Sequence, residues 1–324
     1  MDQIKVISVN LSEKKGTVKT PVPFINLTEN GVEGDAHSGP WNRQVSLLGT
    51  ESIRKFEATA GRKIGYGEFA ENITTEGLEL WKCSPLDRFV NEEVILEVTQ
   101  IGKECHGTSC AIFKEVGNCV MPKEGIFARV IKPGKLYPSS VIRHPSSEFT
   151  YVPKVFTARI ITLSDRAPAG IYEDLSGPRI ESLLTGFFAV RSPQSAVRSL
   201  QSTIHRSLIP DDPEQLRGLL AQCRQESTDI VITTGGTGIG PKDFTPDVIR
   251  PMLDKEIPGL MDHIRLKYGA EKPNALISRS IAGVMGKTLV FALPGSVKAV
   301  NEYMEEILKS MWHLICMLHA IDSH

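Results

Sequence analysis

Residues Asp229–Asp247 read DIVITTGGTGIGPKDFTPD. An apolar run, Asp229–Thr233, enters a turn with three glycines, Gly235, Gly236 and Gly238, set among hydroxyl residues. Asp243 follows eight residues after Gly235, and Thr245-Pro246-Asp247 is a helix start, with Thr as cap and Pro in the first turn. A buried strand that runs through a glycine-rich turn into a helix is how α/β proteins hold phosphate groups. The string is neither the phosphate loop of nucleotide hydrolases, which needs a Lys-Ser/Thr pair at fixed spacing, nor the GxGxxG of dehydrogenases.

The surrounding sequence agrees with an α/β domain. Phe156–Leu163 reads as a buried strand and Gly177–Leu184 as a helix capped by Ser176. Asp212–Gln225 is amphipathic, Thr288–Leu293 (TLVFAL) is a strand, and Ser296–Leu318 is a long final helix. Alternation of strand and helix at this spacing predicts a three-layer α/β domain with a mostly parallel sheet. Pro251 is expected to kink or shorten the helix begun at Pro246.

Three loops follow predicted parallel strands and are expected to meet at the strands' carboxyl ends. Ser164–Arg179 offers Asp165, Asp174 and the Ser176-Gly177 turn. The second is the glycine loop with Asp243, and the third is Leu293–Ser296 (LPGS). Ile277–Gly283 (ISRSIAG) adds Ser278, Arg279 and Ser280. Backbone N–H groups for phosphate, Asp174 and Asp243 for Mg²⁺, and Arg279 or Lys242 for transition-state charge suit phosphoryl or nucleotidyl transfer. The plainer alternative makes the acids helix caps and Arg279 a surface residue.

The first part of the chain has another texture. Short alternating runs, Ile4–Val9, Gln44–Leu48 and Val94–Gln100, are split by Gly, Pro and Asn, with one clear helix over Gly49–Ala60. This predicts a β-rich barrel or folded sheet. The Pro- and Ser-rich segment from Pro138 to Lys154 reads as a linker, which sets domains at 1–140 and 155–324 with a linker at 141–154.

Cys105, His106, Cys110 and Cys119 cluster in the first domain, but C-x4-C-x8-C is no standard zinc spacing. A single reactive thiolate, helped by His106 and Lys103 or Arg129, is the better reading. Cys83, Cys223 and Cys316 read as small buried apolar residues.

At 324 residues the chain is long enough for two domains, and 41% hydrophobic with 23% charged residues is ordinary for a globular protein. A net charge of −1 argues against a general nucleic-acid binder. The longest apolar runs are too short for a membrane span. The opening MDQIKVISVN lacks a secretory signal, so a cytoplasmic location is expected.

These motifs carry a resemblance. Asp174-Leu-Ser-Gly-Pro-Arg179, Thr233–Asp247, Ser278–Gly283 and Leu293-Pro-Gly295 resemble, in order and spacing, the MogA/MoaB family of molybdopterin adenylyltransferases, also found as the G domain of gephyrin-type proteins. Lys242 stands where family members often have Arg, and Val297 where proline often follows. The resemblance implies adenylyl transfer from ATP to molybdopterin with release of pyrophosphate and Mg²⁺ held by Asp174 and Asp243. It further implies that Gly235, Gly236, Thr237, Gly238, Ser176, Gly177, Ser278, Arg279, Pro294 and Gly295 bind substrate or nucleotide, and that the protein is a trimer.

Gly31–His37 (GVEGDAH), Gly67–Gly77 (GEFAENITTEG) and the Cys105 segment ending in Gly125–Val130 (GIFARV) resemble a MOSC domain. That likeness implies sulfur transfer or cofactor handling, with Cys105 as its characteristic cysteine and His37, Glu71 and Asn72 lining a pocket. Two modules of one pathway imply an enzyme of molybdenum cofactor biosynthesis, with other proteins of that pathway as partners. The alternatives are a non-catalytic cofactor carrier or scaffold, and a sulfur-transfer enzyme acting through Cys105.

Overall fold

The computed structural model describes residues 3–103, 119–139, 147–165, 173–189 and 200–321. The chain separates into two compact units that meet in sequence between Lys154 and Val155.

In the first unit, β1 (Gln3–Leu11) shows why the local pattern works: Ile4 and Val6 are buried and Gln3 and Lys5 exposed, the two-residue period of a half-buried strand. Five more strands pair in the ring as β5 (Val45–Gly49), β6 (Ile73–Glu76), β7 (Arg88–Val90), β8 (Ile95–Ile101) and β9 (Ile126–Lys132). The sheet runs β11-β7-β8-β9-β5-β6-β1-β2, where β2 is Thr20–Val22 and β11 is Glu148–Val152. Gln3–Lys5 of β1 also pair with β11 and close a seven-stranded barrel, while Val9–Leu11 carry β2. Closure leaves the ring without an exposed edge. Strands β3 (Ile25–Thr28), β4 (Gly31–Val32) and β10 (Gly134–Leu136) form a separate sheet in the order β10-β3-β4. Ile4, Val6, Leu47, Ile73, Phe89, Leu96, Val98 and Phe149 fill its core. Helix α1 (Thr50–Ala60) leaves β5 directly, packs Ile53 and Phe56 with Phe69, Phe127 and Met121 of the short α2 (Met121–Glu124), and ends on Gly61 in the left-handed region.

Strand β11 corrects one expectation. Residues 148–152 fall in the segment expected to be a linker, yet they pair with β1 and β7 and bury Phe149 and Tyr151. The flanking prolines and serines hid the alternation of EFTYV.

In the second unit the sheet order is β13-β12-β14-β17-β16-β15. The strands are β12 (Val155–Leu163), β13 (Gln201–Ile209), β14 (Ile230–Thr234), β15 (Lys255–Glu256), β16 (Ala282–Met285) and β17 (Thr288–Leu293). β13, β12, β14 and β17 are mutually parallel, whereas β16 and β15 join antiparallel, so the sheet is mixed. Helices cover both faces. Leu216, Leu220 and Cys223 of α4 (Pro213–Gln225) and Val248 and Ile249 of α5 (Thr245–Ile249) pack on Ile161, Leu163, Val231 and Val290. On the other face Phe156 meets Phe188 of α3 (Ser176–Ala189) at 5.3 Å and Trp312 of α7 (Val297–Leu318) at 6.3 Å between ring centroids. Helix α5 stops at Ile249 and a single 3₁₀ turn, Arg250–Met252, takes over around Pro251. The missing N–H and ring clash of proline end the α-helix as expected.

Candidate active site

The parallel strands deliver their following loops to one cleft of about 1120 Å³. Asp174 sits at the entry to α3. Its Oδ1 accepts the N–H groups of Ser176 (3.0 Å) and Gly177 (2.9 Å), and its Oδ2 accepts the Thr162 hydroxyl at 3.0 Å. The acid therefore caps a helix and lines the cleft at once. A Cβ on Gly177 would fall 2.5 Å from Asp174 Oδ2, so a larger residue there would push on the carboxylate that caps the helix.

The glycine loop is tied in on several sides. Gly235 and Gly236 have φ of +107° and +64°, and a Cβ on Gly235 would lie 2.5 Å from the Leu163 carbonyl oxygen. The Thr245 hydroxyl donates to the Gly235 carbonyl (2.9 Å), and the Gly240 N–H donates to Asp243 Oδ2 (2.8 Å). The N–H groups of Gly236, Thr237 and Gly238 donate to no acceptor among the described residues, and all three residues line the cleft. Consecutive free N–H groups of this kind form an anion cradle.

The third loop joins the other two. The hydroxyls of Thr234 and Ser176 donate to the carbonyls of Pro294 (2.9 Å) and Gly295 (2.8 Å). Ser278 lines the cleft and its hydroxyl lies 2.8 Å from that of Ser280.

Of the expected binding residues, Ser176, Gly235, Gly236, Thr237, Gly238, Ser278, Pro294 and Gly295 are on the cleft wall with Asp174 and Asp243, and Gly177 and Arg279 are not. Arg279 works from behind the wall. Its Nε donates to the Gly238 carbonyl (2.8 Å), its Nη2 to the Asp243 carbonyl, and its Nη1 to both Asp247 oxygens (2.8 and 2.9 Å). A guanidinium with donors spent this way holds a loop in shape. Lys242 lines the cleft but pairs with Asp165, whose Oδ1 also accepts the Asp211 N–H at 2.9 Å. That pairing holds Asp165 below and Lys242 above their ordinary pKa values.

Sequence reasoning missed one whole wall. Lys298, Glu302 and Tyr303 of α7 line the cleft, together with Lys272 and Asn274. Lys272 bonds Glu302. The Tyr303 hydroxyl is buried and has no partner among the described residues. The available signal was the strand-turn-helix junction at LPGS, which places the first turns of α7 beside the glycine loop.

In the barrel, Lys19 and Asp35 form an ion pair with both side chains 1% exposed. Asp35 Oδ2 also accepts from Asn72 Nδ2 (3.1 Å), and Oδ1 from the His37 N–H (2.9 Å). Burial pushes the Asp35 carboxyl up, but hydrogen bonds from His37 and Lys19 outweigh it and hold it far below its usual range. Burial lowers Lys19 and raises Glu71, whose Oε1 accepts from Gly67 N–H at 2.6 Å. His37, Glu71 and Asn72 thus belong to one polar cluster around Asp35 and Asn10. Cys105, His106 and Cys110 lie outside the described residues. Cys83, Cys223 and Cys316 are buried and Cys119 half-buried.

These observations define a class: an α/β domain with a glycine-loop cleft that carries two acids, joined to a closed β-barrel. A family model described as a probable molybdopterin binding domain matches residues 159–313, and the MOSC domain model matches residues 34–143. A molybdopterin adenylyltransferase of Pyrococcus furiosus is 33% identical over 50% of this chain and 91% of its own length. One of Helicobacter pylori is 29% identical over 49% of this chain and 85% of its own. Gephyrin of Dictyostelium discoideum is 33% identical over 50% of this chain, which spans 22% of that protein. The chain belongs to the MogA/MoaB molybdopterin-binding family and carries a MOSC domain ahead of that module.

Proposed function

We propose that the second unit transfers an adenylyl group from ATP to molybdopterin within molybdenum cofactor biosynthesis. The observation that carries this is the conjunction, on one cleft, of the Gly236–Gly238 N–H groups, which have no acceptor among the described residues, with the carboxylates of Asp174 and Asp243. The cleft of about 1120 Å³ also exceeds the roughly 300–1,000 Å³ of an ordinary small-molecule site, room for two ligands. A phosphate oxygen of molybdopterin attacks the α-phosphorus of ATP. The new P–O bond forms as the bond to the β-phosphate oxygen breaks, and pyrophosphate leaves with the electron pair. The cradle orients the phosphates, and the three tied loops keep it rigid, so positioning and electrostatics do the work.

Mg²⁺ takes one or two carboxylates and completes its shell with phosphate and water. Among the described residues Asp243 Oδ1 accepts no hydrogen bond, and Asp174 Oδ2 accepts only the Thr162 hydroxyl and keeps a lone pair. Those two acids would hold the ion, which when bound would neutralise phosphate charge.

Incubation with molybdopterin, ATP and Mg²⁺ should release pyrophosphate. Asp174→Ala or Asp243→Ala should slow release by about 10²-fold or more. Turnover at the parent rate in both variants would leave a carrier or scaffold as the better reading. For the barrel we infer an accessory role, cofactor binding or sulfur transfer through Cys105, to be tested by loss of sulfur transfer in Cys105→Ser. We further propose a cytoplasmic homotrimer, testable by fractionation and sedimentation. No helix among the described residues is long and apolar enough to cross a membrane.

A further inference from the structure

Given adenylyl transfer in this cleft, polyphosphate must enter a wall that carries Asp165, Asp174, Asp211, Asp243 and Glu302. Some cation other than the metal has to offset that charge. The two residues the sequence nominates are engaged elsewhere. Arg279 stands behind the wall with Nε, Nη1 and Nη2 all bonded to the loop or to Asp247. Lys242 is paired with Asp165.

Two further lysines line the cleft. Lys272 is bonded to Glu302, while Lys298 has no acid within 4.0 Å among the described residues. Lys298 is exposed and sits in the first turn of α7, two residues after Ser296, whose hydroxyl caps the helix by accepting the Ala299 N–H at 3.3 Å. The helix end adds positive potential in the same place. An anion entering here meets an exposed ammonium group beside a helix N-terminus.

We infer that Lys298 is the side chain that binds and neutralises substrate phosphate in this cleft, the role sequence assigns to Lys242 or Arg279. A charge-assisted bond of this kind corresponds to about ten- to hundredfold in affinity. Lys298 is exposed, so Lys298→Ala should fold as the parent does, and the melting temperature checks it.

The test uses the full chain with Mg²⁺ and inorganic pyrophosphate, titrated by calorimetry. Lys298→Ala should weaken pyrophosphate binding tenfold or more with an unchanged melting temperature, Lys298→Arg should retain most of it, and Lys242→Ala should lose several-fold less than Lys298→Ala. Wild-type-like binding by Lys298→Ala, a larger loss in Lys242→Ala, or no binding by the wild type would each overturn the assignment. Pyrophosphate release from ATP is measured separately. If wild type binds pyrophosphate through Lys298 yet releases none from ATP and molybdopterin, adenylyl transfer fails and the phosphate site at Lys298 stands.

Discussion

On the glycine-loop side of the cleft, Thr234, Thr245, Ser176 and Arg279 all donate to backbone carbonyls of the cleft loops. On the α7 side, Lys298 has no acid partner among the described residues and the Tyr303 hydroxyl has no hydrogen bond. The first wall spends its side chains on its own shape and presents backbone N–H groups. The second presents side chains. A motif dense in special residues is therefore largely a scaffold, and adaptable chemistry sits on the plainer helix opposite.

The largest expected effect is on the first wall. Gly235→Ala puts a Cβ 2.5 Å from the Leu163 carbonyl at a left-handed φ. We expect a loss of about 2–3 kcal/mol, and roughly 4–12 °C in melting temperature, with turnover falling in parallel. A variant that melts like wild type would break the contrast between a rigid wall and an adaptable one.

Asp174→Asn comes next, because it separates charge from capping. Asn caps a helix about as well as Asp. Melting temperature should move by no more than a few degrees while pyrophosphate release falls by about 10²-fold. Comparable losses in both measurements would make Asp174 a structural residue.

Arg279→Lys keeps one charge but not the fork that spans Gly238, Asp243 and Asp247. Turnover is expected to drop about tenfold with pyrophosphate affinity lowered less than in Lys298→Ala, since the damage reaches the ligand only through loop geometry. A pyrophosphate loss exceeding that of Lys298→Ala would mean the arginine touches phosphate.

A smaller effect concerns how the second wall is held. Glu306 of α7 accepts from Lys267 of α6 (Pro258–Gly269) at 2.6 Å and from Lys309 at 2.7 Å, and these bonds lower its pKa to about 2. A carboxyl depressed in the folded state stabilises above its unfolded pKa, about 4.3, and that contribution disappears as pH falls toward 2. Glu306→Gln should flatten the pH dependence of the melting temperature between about pH 4.5 and 2. An unaltered slope would remove Glu306 from the anchoring of α7.

The smallest effect is expected for Tyr303→Phe. Deleting a buried hydroxyl without a partner should leave the melting temperature unchanged or slightly raised. A clear drop in thermal scanning would show that the hydroxyl is satisfied in solution.

Much of this was legible locally. The glycines and the Pro251 stop act through the backbone of their own segment and formed where the residues predicted, whereas Thr245 and Ser176, expected as caps, begin their helices and donate their hydroxyls to the Gly235 and Gly295 carbonyls. The linker failed for the opposite reason. Whether EFTYV becomes a strand depends on β1 and β7, which lie far away in sequence. The place of Arg279 behind the cleft wall was not legible because the direction of a long side chain is set by its partners, and Lys298 was missed because a lone lysine on an amphipathic helix has no local signature.

Sequence by itself determined the two modules, the cleft-forming loops and the acids, because strand period, turn glycines and caps are short-range physics. Only the tertiary structure decided which cations are spent and which are available, that β11 closes the barrel, and that α7 supplies a wall. Those outcomes depend on ion pairs and strand pairings between residues distant in the chain, which no local pattern encodes.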